Sequence, residues 1–428
     1  MKDINKILKI SKHLFVVFTV MLGFIYIAGC TDEGYDSVYN SDLIGPDVPK
    51  PVVDSYSPAD FAYSGVSEVT ITGQNLTPST KVYFTNGVEA PLLSAASNEL
   101  TILAPVFEFD DTTSELSVSF KIHTTSEFPS DSVKNYKLRP AAIKIPKAIT
   151  RKSNRFWNFV VNANNEIIVE ESDAAGNSPK FVKIVDENEP YLDYAAGATQ
   201  RYASLKYGPD GTLYGVRRVR AIFQIPEGAG ASHTVYTTIG SGSFSAIEFD
   251  KDGNMWLGTT ANDIIYMIDA NKTVTEYPVV GEVKSLRTYD GADGYHLYIS
   301  LERDGAQLIV RAPLAGGVIG AEETYYDFSA NFEESYRLVN FNFTDDGTLF
   351  LATTGAEPIW AVALGGSAEV FYPALLAGTV YNPTLESFGW GINDELYYVR
   401  KVVGEEENTY DIIRVSTQKQ TAPYYGRD

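Results

Sequence analysis

The stretch Phe249-Asp250-Lys251-Asp252-Gly253-Asn254-Met255-Trp256 contains a phrase that recurs through the C-terminal two-thirds of the chain. An aromatic or aliphatic residue precedes a polar turn with Asp and Gly, and two or three apolar residues follow. Asp-Gly between apolar runs predicts a β-hairpin, because glycine accepts the positive φ that a tight, twist-matched turn requires. Clear or degenerate copies of the phrase occupy residues 164–168, 207–214, 293–298, 343–350 and 390–397.

The six copies are spaced like the blades of a propeller. The turn residues taken as equivalent are Asn165, Gly211, Gly253, Gly294, Gly347 and Asp394. Successive turns are 46, 42, 41, 53 and 47 residues apart, and one four-stranded blade needs about 40–50 residues. Two further strand-like runs follow each phrase without helical periodicity. Residues 141–428 are therefore predicted to form a six-bladed β-propeller.

These phrases resemble the NHL-type propeller repeat, in which a strand, an Asp-Gly-Asn turn and a Leu-Tyr-Val strand recur. A propeller closes its ring when a strand from one terminus completes the blade of the other, which removes an exposed sheet edge. Either the run at Ile143 or the C-terminal residues 421–425 would supply that strand, and the sequence leaves both open. Trp256 aligns with the strand residues Tyr214 and Phe350, so we predict that it lies in the core.

A second all-β domain is predicted for residues 50–140. Alternating runs at 69–76, 81–84, 100–105 and 116–122 are separated by turns such as Asn86-Gly87, a pattern typical of a β-sandwich. Ser57-Pro58, the Gly-Gln-Asn-Leu run at 73–76 and the Asn-Glu-Leu-Thr-Ile-Leu-Ala-Pro run at 98–105 resemble an IPT/TIG domain, an immunoglobulin-like module. The resemblance implies a spacer or a protein-binding module. The fold class predicted for the chain is all-β.

The N-terminus resembles a bacterial lipoprotein signal. Residues 1–29 combine four lysines with an apolar stretch from Leu14 to Ala28, and Ile27-Ala28-Gly29-Cys30 resembles a lipobox. Cys30 is the only cysteine, so we predict lipidation of Cys30 and a flexible linker over residues 30–49. Asp32 and Glu33 resemble the surface-export signal of Bacteroidetes lipoproteins. The predicted location is the outer membrane, facing the cell exterior.

Charge and residue usage argue against several classes of function. A formal net charge of −21 repels nucleic acid and anionic membrane, which leaves the acyl chains of Cys30 as the contact with the lipid bilayer. Beyond the signal segment, histidines occur only at 123, 233 and 296, far apart in the sequence, so no catalytic triad or His-rich metal site is predicted. We assign no catalytic residue, metal or cofactor. The run at 250–254 resembles the start of a calcium loop but lacks the closing Glu, so a hairpin turn is favoured.

One set of candidate binding residues follows the second strand of each blade. Arg217 and Arg400 occupy equivalent positions there, with Arg218, Arg303 and Lys401 adjacent. Arginines that converge in so acidic a chain would hold a carboxylate or sulfate through forked hydrogen bonds. The alternative is that each forms a solvated ion pair with the abundant Asp and Glu.

A second set lies in the loops that lead into the first strand of each blade. These residues are Trp157, Tyr202, Phe244, Tyr336, Arg337, Tyr381 and Asn382. Aromatic rings at a rim stack on sugar faces while polar groups bond the sugar hydroxyls. The alternative is that the same rings fill the gaps between blades.

The function predicted from these features is non-catalytic binding of an extracellular ligand, a glycan above all, on the propeller face. The resemblance to surface lipoproteins of glycan-harvesting bacteria adds an outer-membrane importer complex as a partner. One alternative is a propeller enzyme. It would be a polysaccharide lyase or a lactonase of the SMP-30 type, the latter with a divalent metal on dispersed ligands such as Glu171, Asn262, Asp263 and Asn382. The other alternative is a protein-binding or adhesion module.

Overall fold

The computed structural model describes residues 49–109, 113–126, 128–145, 151–152, 154–173, 179–185, 191–198, 200–261, 263–376, 384–402 and 409–428. The predicted signal segment, Cys30 and most of the predicted linker lie outside these residues. No helix within the described ranges is both long and apolar enough to cross a membrane. Contacts separate two compact units, one of residues 49–61, 68–105 and 117–136, the other of 62–67, 106–116 and 137–428.

The N-terminal β-sandwich is built from nine strands and a short 3-10 helix at Thr85–Gly87. The strands are β1 (Val52–Ser57), β2 (Ala62–Ser64), β3 (Glu68–Gln74), β4 (Lys81–Phe84), β5 (Glu89–Ala90), β6 (Leu92–Ala95), β7 (Glu99–Leu103), β8 (Leu116–His123) and β9 (Val133–Pro140). They form two sheets with the strand orders β1-β3-β7-β6 and β2-β9-β8-β4-β5. Every pairing for which a register is given is antiparallel except β2 with β9.

Alternation along the strands places the sandwich core. In β8, Val118, Phe120 and Ile122 are buried while their neighbours are not, because successive strand residues point to opposite faces. Phe120 makes edge contacts with Tyr56 and Tyr136 at centroid distances of 5.9 and 5.6 Å. The sequence prediction of an immunoglobulin-like sandwich is confirmed.

The remaining strands form six further sheets, which are the propeller blades. Two short strands come first, β10 (Ala142–Ile145) and β11 (Arg151–Lys152). Blade 1 contains β12 (Asn154–Val161), β13 (Ile167–Asp173), β14 (Lys180–Ile184) and β15 (Leu192–Ala195). Blade 2 contains β16 (Ser204–Tyr207), β17 (Leu213–Val216), β18 (Ala221–Ile225) and β19 (Thr234–Thr238). Blade 3 contains β20 (Phe244–Phe249), β21 (Met255–Thr259), β22 (Ile264–Ile268) and β23 (Val274–Pro278).

The last three blades carry the two short α-helices of the described chain. Blade 4 contains β24 (Glu282–Gly291), β25 (Gly294–Arg303), β26 (Ala306–Ala315), β27 (Val318–Ile319) and β28 (Glu323–Asp327), followed by α1 (Phe328–Asn331). Blade 5 contains β29 (Leu338–Phe343), β30 (Leu349–Thr353), β31 (Ile359–Val362) and β32 (Ala368–Val370), followed by α2 (Pro373–Leu376). Blade 6 contains β33 (Thr384–Trp390), β34 (Glu395–Val402) and β35 (Thr409–Ser416).

The ring is closed by β10. This strand pairs antiparallel with β35 and completes the sheet β33-β34-β35-β10, so that blade 6 joins both ends of the propeller. The first strands of consecutive blades contact one another, and β33 also contacts β12. A closed ring of six radial sheets follows, and the prediction of a six-bladed propeller is confirmed. Of the two candidate closing segments, the one containing Ile143 is used.

The Asp-Gly phrases form the turns between the first and second strands, as predicted. Gly253 has φ +80°, and Asp250 Oδ1 accepts hydrogen bonds from the backbone N–H groups of Asp252 and Asn254 at 3.0 and 2.8 Å. Asp250 Oδ2 accepts from Trp256 Nε1 at 2.9 Å, and Trp256 is fully buried. The Asp250 carboxylate is thus engaged within a hairpin turn rather than in a calcium loop.

The last repeat differs by one residue from the sequence alignment. Asn393, with φ +60°, takes the left-handed position that the alignment gave to Asp394. Asn tolerates this conformation better than Asp, because its amide side chain bonds locally. The spacing of the last two turns is therefore one residue shorter than predicted.

Gly253→Ala tests the turn on which the fold prediction depends. A Cβ at this position would meet only Pro209 Cγ at 3.5 Å, an ordinary contact, so the cost is backbone strain alone. We expect a loss of about 1 to 2 kcal/mol in the free energy of unfolding, measured by denaturant titration. Gly240→Ala is the matched control, because Gly240 is exposed and has no positive φ. Equal stability of the two variants would show that the positive φ of Gly253 does not destabilise an alanine at this position.

Candidate functional site

A ring of β-bulges shapes one end of the propeller channel. The first strands of blades 1, 3, 4, 5 and 6 each shift register against the second strand, between residues 156 and 158, 244 and 246, 283 and 285, 338 and 340, and 385 and 387. A bulge inserts an extra residue and turns its side chain away from the sheet, and bulges are common at rims and active sites. In blades 1, 3, 4 and 5 the extra residues are Trp157, Ser245, Lys284 and Val339, and all four line one cavity.

This cavity, which we call the mouth pocket, has a volume of about 630 Å³. Its charged lining residues are Arg155, Arg201, Arg217, Arg218, Lys284 and Glu282. Lys284 Nζ pairs with Glu282 at 2.8 Å, and the other cationic residues of the lining are the four arginines. A concentration of positive charge in so acidic a protein favours an anionic ligand.

Trp157 organises two of these arginines. The guanidinium carbons of Arg155 and Arg201 lie 3.6 and 4.0 Å from the centre of the Trp157 ring. They occupy opposite faces, because two guanidinium groups this close to the centre of one face would overlap. Trp157 Nε1 also donates a hydrogen bond to Ser172 Oγ, which fixes the ring. The indole thus holds two cations in place and does not present a bare face on which a sugar could stack.

Arg217 forms the inner wall of the mouth pocket. Its guanidinium carbon lies 4.3 Å from the ring centre of Tyr202 and 4.4 Å from that of Phe223. Arg217 is 9% exposed, and its Nε is buried without a hydrogen-bond partner among the described residues. An unpaired buried donor is costly, so this atom is suited to a ligand oxygen.

A buried carboxylate lies behind the arginines. Glu170 is fully buried, and its two oxygens accept hydrogen bonds from Tyr202 N at 2.8 Å and Asn158 Nδ2 at 3.0 Å. Burial raises the pKa of Glu170 to about 7, although these hydrogen bonds and the charges of Arg217 and Arg201 act in the opposite direction. The charge behind the mouth pocket therefore changes near neutral pH.

Of the predicted binding residues, Trp157, Tyr202 and Arg217 come together in the mouth pocket, with Arg218 beside them. Tyr202 is 1% exposed, and its hydroxyl bonds His233 Nδ1 at 2.7 Å. Tyr202 thus forms the wall beneath Arg217 and is not a surface for stacking.

The other predicted arginines lie elsewhere. Arg303 pairs with Glu322 at 2.6 Å and donates to the carbonyl oxygen of Val280 at 2.9 Å. Arg400 pairs with the buried Asp411 at 2.6 Å. Arg337 is exposed and donates to the carbonyl oxygen of Glu334 at 2.6 Å. Arg303 thus forms the solvated ion pair of the alternative, whereas the partner of Arg400 is a buried carboxylate.

The remaining predicted rim residues do not line the mouth pocket. Phe244 is fully buried and belongs to one hydrophobic cluster with Val216 and Ile222 of blade 2, so it fills the gap between blades. Tyr336 packs against Phe332 and Trp360 and donates to Glu357. Tyr381 and Asn382 lie outside the described residues.

Sequence reasoning missed Arg155, Arg201, Lys284 and Glu170. Arg155 and Arg201 could have been found, because Arg155 stands two residues before Trp157 and Arg201 stands next to Tyr202. Lys284 could not be found from the sequence, because only the register shift identifies it as the bulge residue of blade 4. Nothing in the sequence indicates that Glu170, and not its neighbour Glu171, lies behind the arginines of the mouth pocket.

No group of three or more His, Cys, Asp or Glu within the described ranges is arranged to hold a metal ion. Asp263 Oδ1 accepts from Gly281 N at 2.8 Å, and Glu171 pairs with Lys180 at 2.9 Å. Asn262 and Asn382 lie outside the described residues.

Comparison with protein families supports both predicted domains. Residues 51–134 match the IPT/TIG domain family. Residues 238–261, in blades 2 and 3, match the two component regulator propeller family. The second match is to a propeller repeat, whereas the NHL type of the repeat stays a prediction. The chain has no significant match among curated proteins.

Several solved structures are similar in part to this chain. An auxiliary nutrient binding protein from Bacteroides thetaiotaomicron is 9% identical with a TM-score of 0.46, over 86% of this chain and 97% of that protein. One from Bacteroides ovatus is 10% identical with a TM-score of 0.48, over 86% and 98%. Virginiamycin B lyase from Staphylococcus aureus is 12% identical with a TM-score of 0.41, over 61% and 88%. At such identities and TM-scores, none of these similarities assigns a ligand or a reaction to this chain.

Proposed function

We propose that this chain is a non-catalytic surface lipoprotein that captures an acidic glycan, one bearing carboxylate or sulfate groups, at the mouth pocket. The observation that carries the proposal is the group of four arginines around the pocket, with two of them clamped on Trp157. Guanidinium groups bond carboxylate and sulfate oxygens in pairs, and held side chains lose less entropy on binding. Arg217 Nε adds a buried donor that still lacks a partner among the described residues.

Burial of the nearest acid and base groups supports binding rather than catalysis. Tyr202 and His233 are hydrogen-bonded, but burial raises the pKa of Tyr202 to about 12 and lowers that of His233. Glu170 and Tyr202 are 0% and 1% exposed. A general acid or base must reach the proton that it transfers, and these groups are enclosed by the pocket wall.

The remaining parts of the proposal concern location and partners. Lipidated Cys30 would hold the protein at the outer membrane, facing the cell exterior, and the IPT/TIG domain would act as a spacer. Anchoring beside an outer-membrane importer would raise the local ligand concentration without any new contact. Neither a cofactor nor nucleic acid has a role in this proposal.

Affinity gel electrophoresis of the purified protein tests the proposal. We expect polygalacturonate or chondroitin sulfate to retard migration and neutral dextran to have no effect. Retardation should weaken as salt is raised from 50 to 500 mM, because exposed charges are screened. No new reducing ends or unsaturated products should form.

Other results would favour the alternatives. Product formation would favour the lyase, and stabilisation by a divalent metal would favour the lactonase-like enzyme. If no glycan is retained and an outer-membrane protein binds instead, the adhesion module is supported.

A further inference from the structure

The propeller channel also contains a second, smaller cavity of about 260 Å³, here called the channel cavity. The first strands of all six blades line it. Ala422, Tyr424 and Arg427 of the C-terminal segment line it as well. Asn158, Ser245 and Lys284 line both cavities, which gives a route from the mouth. Since a water molecule takes about 30 Å³ in the liquid, the cavity holds a small ion with several waters.

Two cations at the channel cavity share one carboxylate. Lys206 Nζ and Arg287 Nη1 lie 3.0 and 2.8 Å from the same oxygen, Oε2 of the fully buried Glu248. Arg427, which also lines the cavity, is paired separately with Asp428 at 2.8 Å. Among the described lining residues none is acidic. Lys206 and Arg287 together carry one positive charge more than Glu248, and no acid among the described lining residues compensates it.

The pKa of Lys206 shows that the positive charge at this position is unfavourable. Burial, followed by the neighbouring charge of Arg287, lowers the pKa of Lys206 to about 8, even though Glu248 acts in the opposite direction. The Lys206 side chain is 19% exposed, so water compensates it only in part. An anion bound beside Lys206 would remove this penalty.

Two buried hydrogen-bond donors that have no partner among the described residues also favour a bound anion. Asn342 is 4% exposed, and its Oδ1 accepts from Arg287 Nε at 2.7 Å. Its Nδ2 is buried without a hydrogen-bond partner among the described residues, as is Nε1 of Trp390. Both residues line the channel cavity. Buried donors are nearly always satisfied, so these two require an acceptor. Water would satisfy the donors but would leave the charge uncompensated.

We propose that the channel cavity is a second ligand site, which binds a small oxyanion such as phosphate, sulfate or a carboxylate between Lys206, Arg287 and Asn342. This site goes beyond glycan capture at the mouth pocket and does not depend on it. The C-terminal segment closes the cavity from the other side, with Tyr424 Oη donating to the carbonyl oxygen of Tyr207 at 2.7 Å. Lys206 Nζ lies 4.6 Å from the centre of the Tyr424 ring.

Thermal unfolding and isothermal titration calorimetry with sodium phosphate, sodium sulfate and sodium acetate test the site. We expect a saturable rise in Tm at millimolar anion and constant ionic strength, since a ligand stabilises by mass action. General salting-out by sulfate does not saturate in this range, which separates it from site binding. Response to phosphate and sulfate alone assigns a tetrahedral anion, and an equal response to acetate assigns a carboxylate.

Asn342→Asp is the decisive variant, because it replaces the unpaired donor with a carboxylate of the same shape. The new charge should take the place of the anion, so that Tm rises in the absence of anion and anion affinity falls about tenfold or more. Asn271→Asp, on an exposed turn, is the matched control and should behave like the wild type. If Asn342→Asp does not fold, Lys206→Met should also abolish the response, since Arg287 still pairs with Glu248.

Arg217→Met separates the two sites. This variant removes a mouth-pocket cation and should keep the response to inorganic anions. The proposal is overturned if the wild type shows no saturable response, if Asn342→Asp and Lys206→Met retain it, or if Arg217→Met abolishes it.

Discussion

Arg217→Met should weaken binding of an acidic glycan about tenfold to a hundredfold while the fold stays intact. Hydrogen bonds to charged groups contribute about 1.5 to 3 kcal/mol, and this change removes the buried donor that has no partner in the described protein. The methionine keeps an unbranched chain to pack against Tyr202 and Phe223. Binding of polygalacturonate or chondroitin sulfate is measured by calorimetry, and stability is measured by thermal unfolding.

Arg303→Met is the matched control for this prediction. Arg303 stands at the corresponding corner of blade 4 but is held by Glu322 and the carbonyl oxygen of Val280. Its loss should leave glycan affinity within about twofold of the wild type, because surface ion pairs contribute little. Equal weakening by both variants would show that general charge, and not the mouth pocket, attracts the ligand. Unchanged affinity of Arg217→Met would exclude the mouth pocket.

The blades could be predicted because their signal is local. Each Asp-Gly or Asn turn is specified by a few adjacent residues, and six of them at a regular spacing define the propeller. Ring closure is not local. The runs 142–145 and 421–425 are both short and partly apolar, and only long-range pairing decides between them. The structure pairs Ala142–Ile145 with β35, and it places Ala422 and Tyr424 at the channel cavity.

The site could be predicted only in part, since partners distant in sequence decide which cation is available. Arg217 and Arg400 occupy equivalent positions, yet Arg400 faces Asp411 on the adjacent strand whereas Arg217 faces the rings of Tyr202 and Phe223. Trp157 and Phe244 were both predicted in loops before first strands, but both lie within those strands, where the register shift places Ser245, not Phe244, at the mouth. A bulge is defined by the pairing of two strands, which one sequence does not display.

Glu170 should make stability fall as pH rises through the neutral range. Because the folded state raises the pKa of Glu170 from 4.5 to about 7, it binds the proton more tightly than the unfolded chain does. The stabilising effect is fully present below about pH 4.5 and is lost as pH rises to about 7. This pKa difference corresponds to about 3 kcal/mol. Glu170→Gln, which cannot ionise, should therefore be more stable than the wild type by about 3 kcal/mol at pH 8, and close to it at pH 4.5.

Glycan affinity should follow the same titration, since ionised Glu170 lies behind Arg201 and Arg217 and reduces the positive potential of the mouth pocket. We expect wild-type affinity to decrease between pH 6 and 8 and the affinity of Glu170→Gln to change much less. Glu369→Gln, on an exposed strand position, is the control that should follow the wild type. His233 has a lowered pKa and is common to all three proteins, so its titration cancels in the comparison. A Glu170→Gln protein with the same pH profile as the wild type in both stability and affinity would show that this carboxyl does not titrate near neutrality.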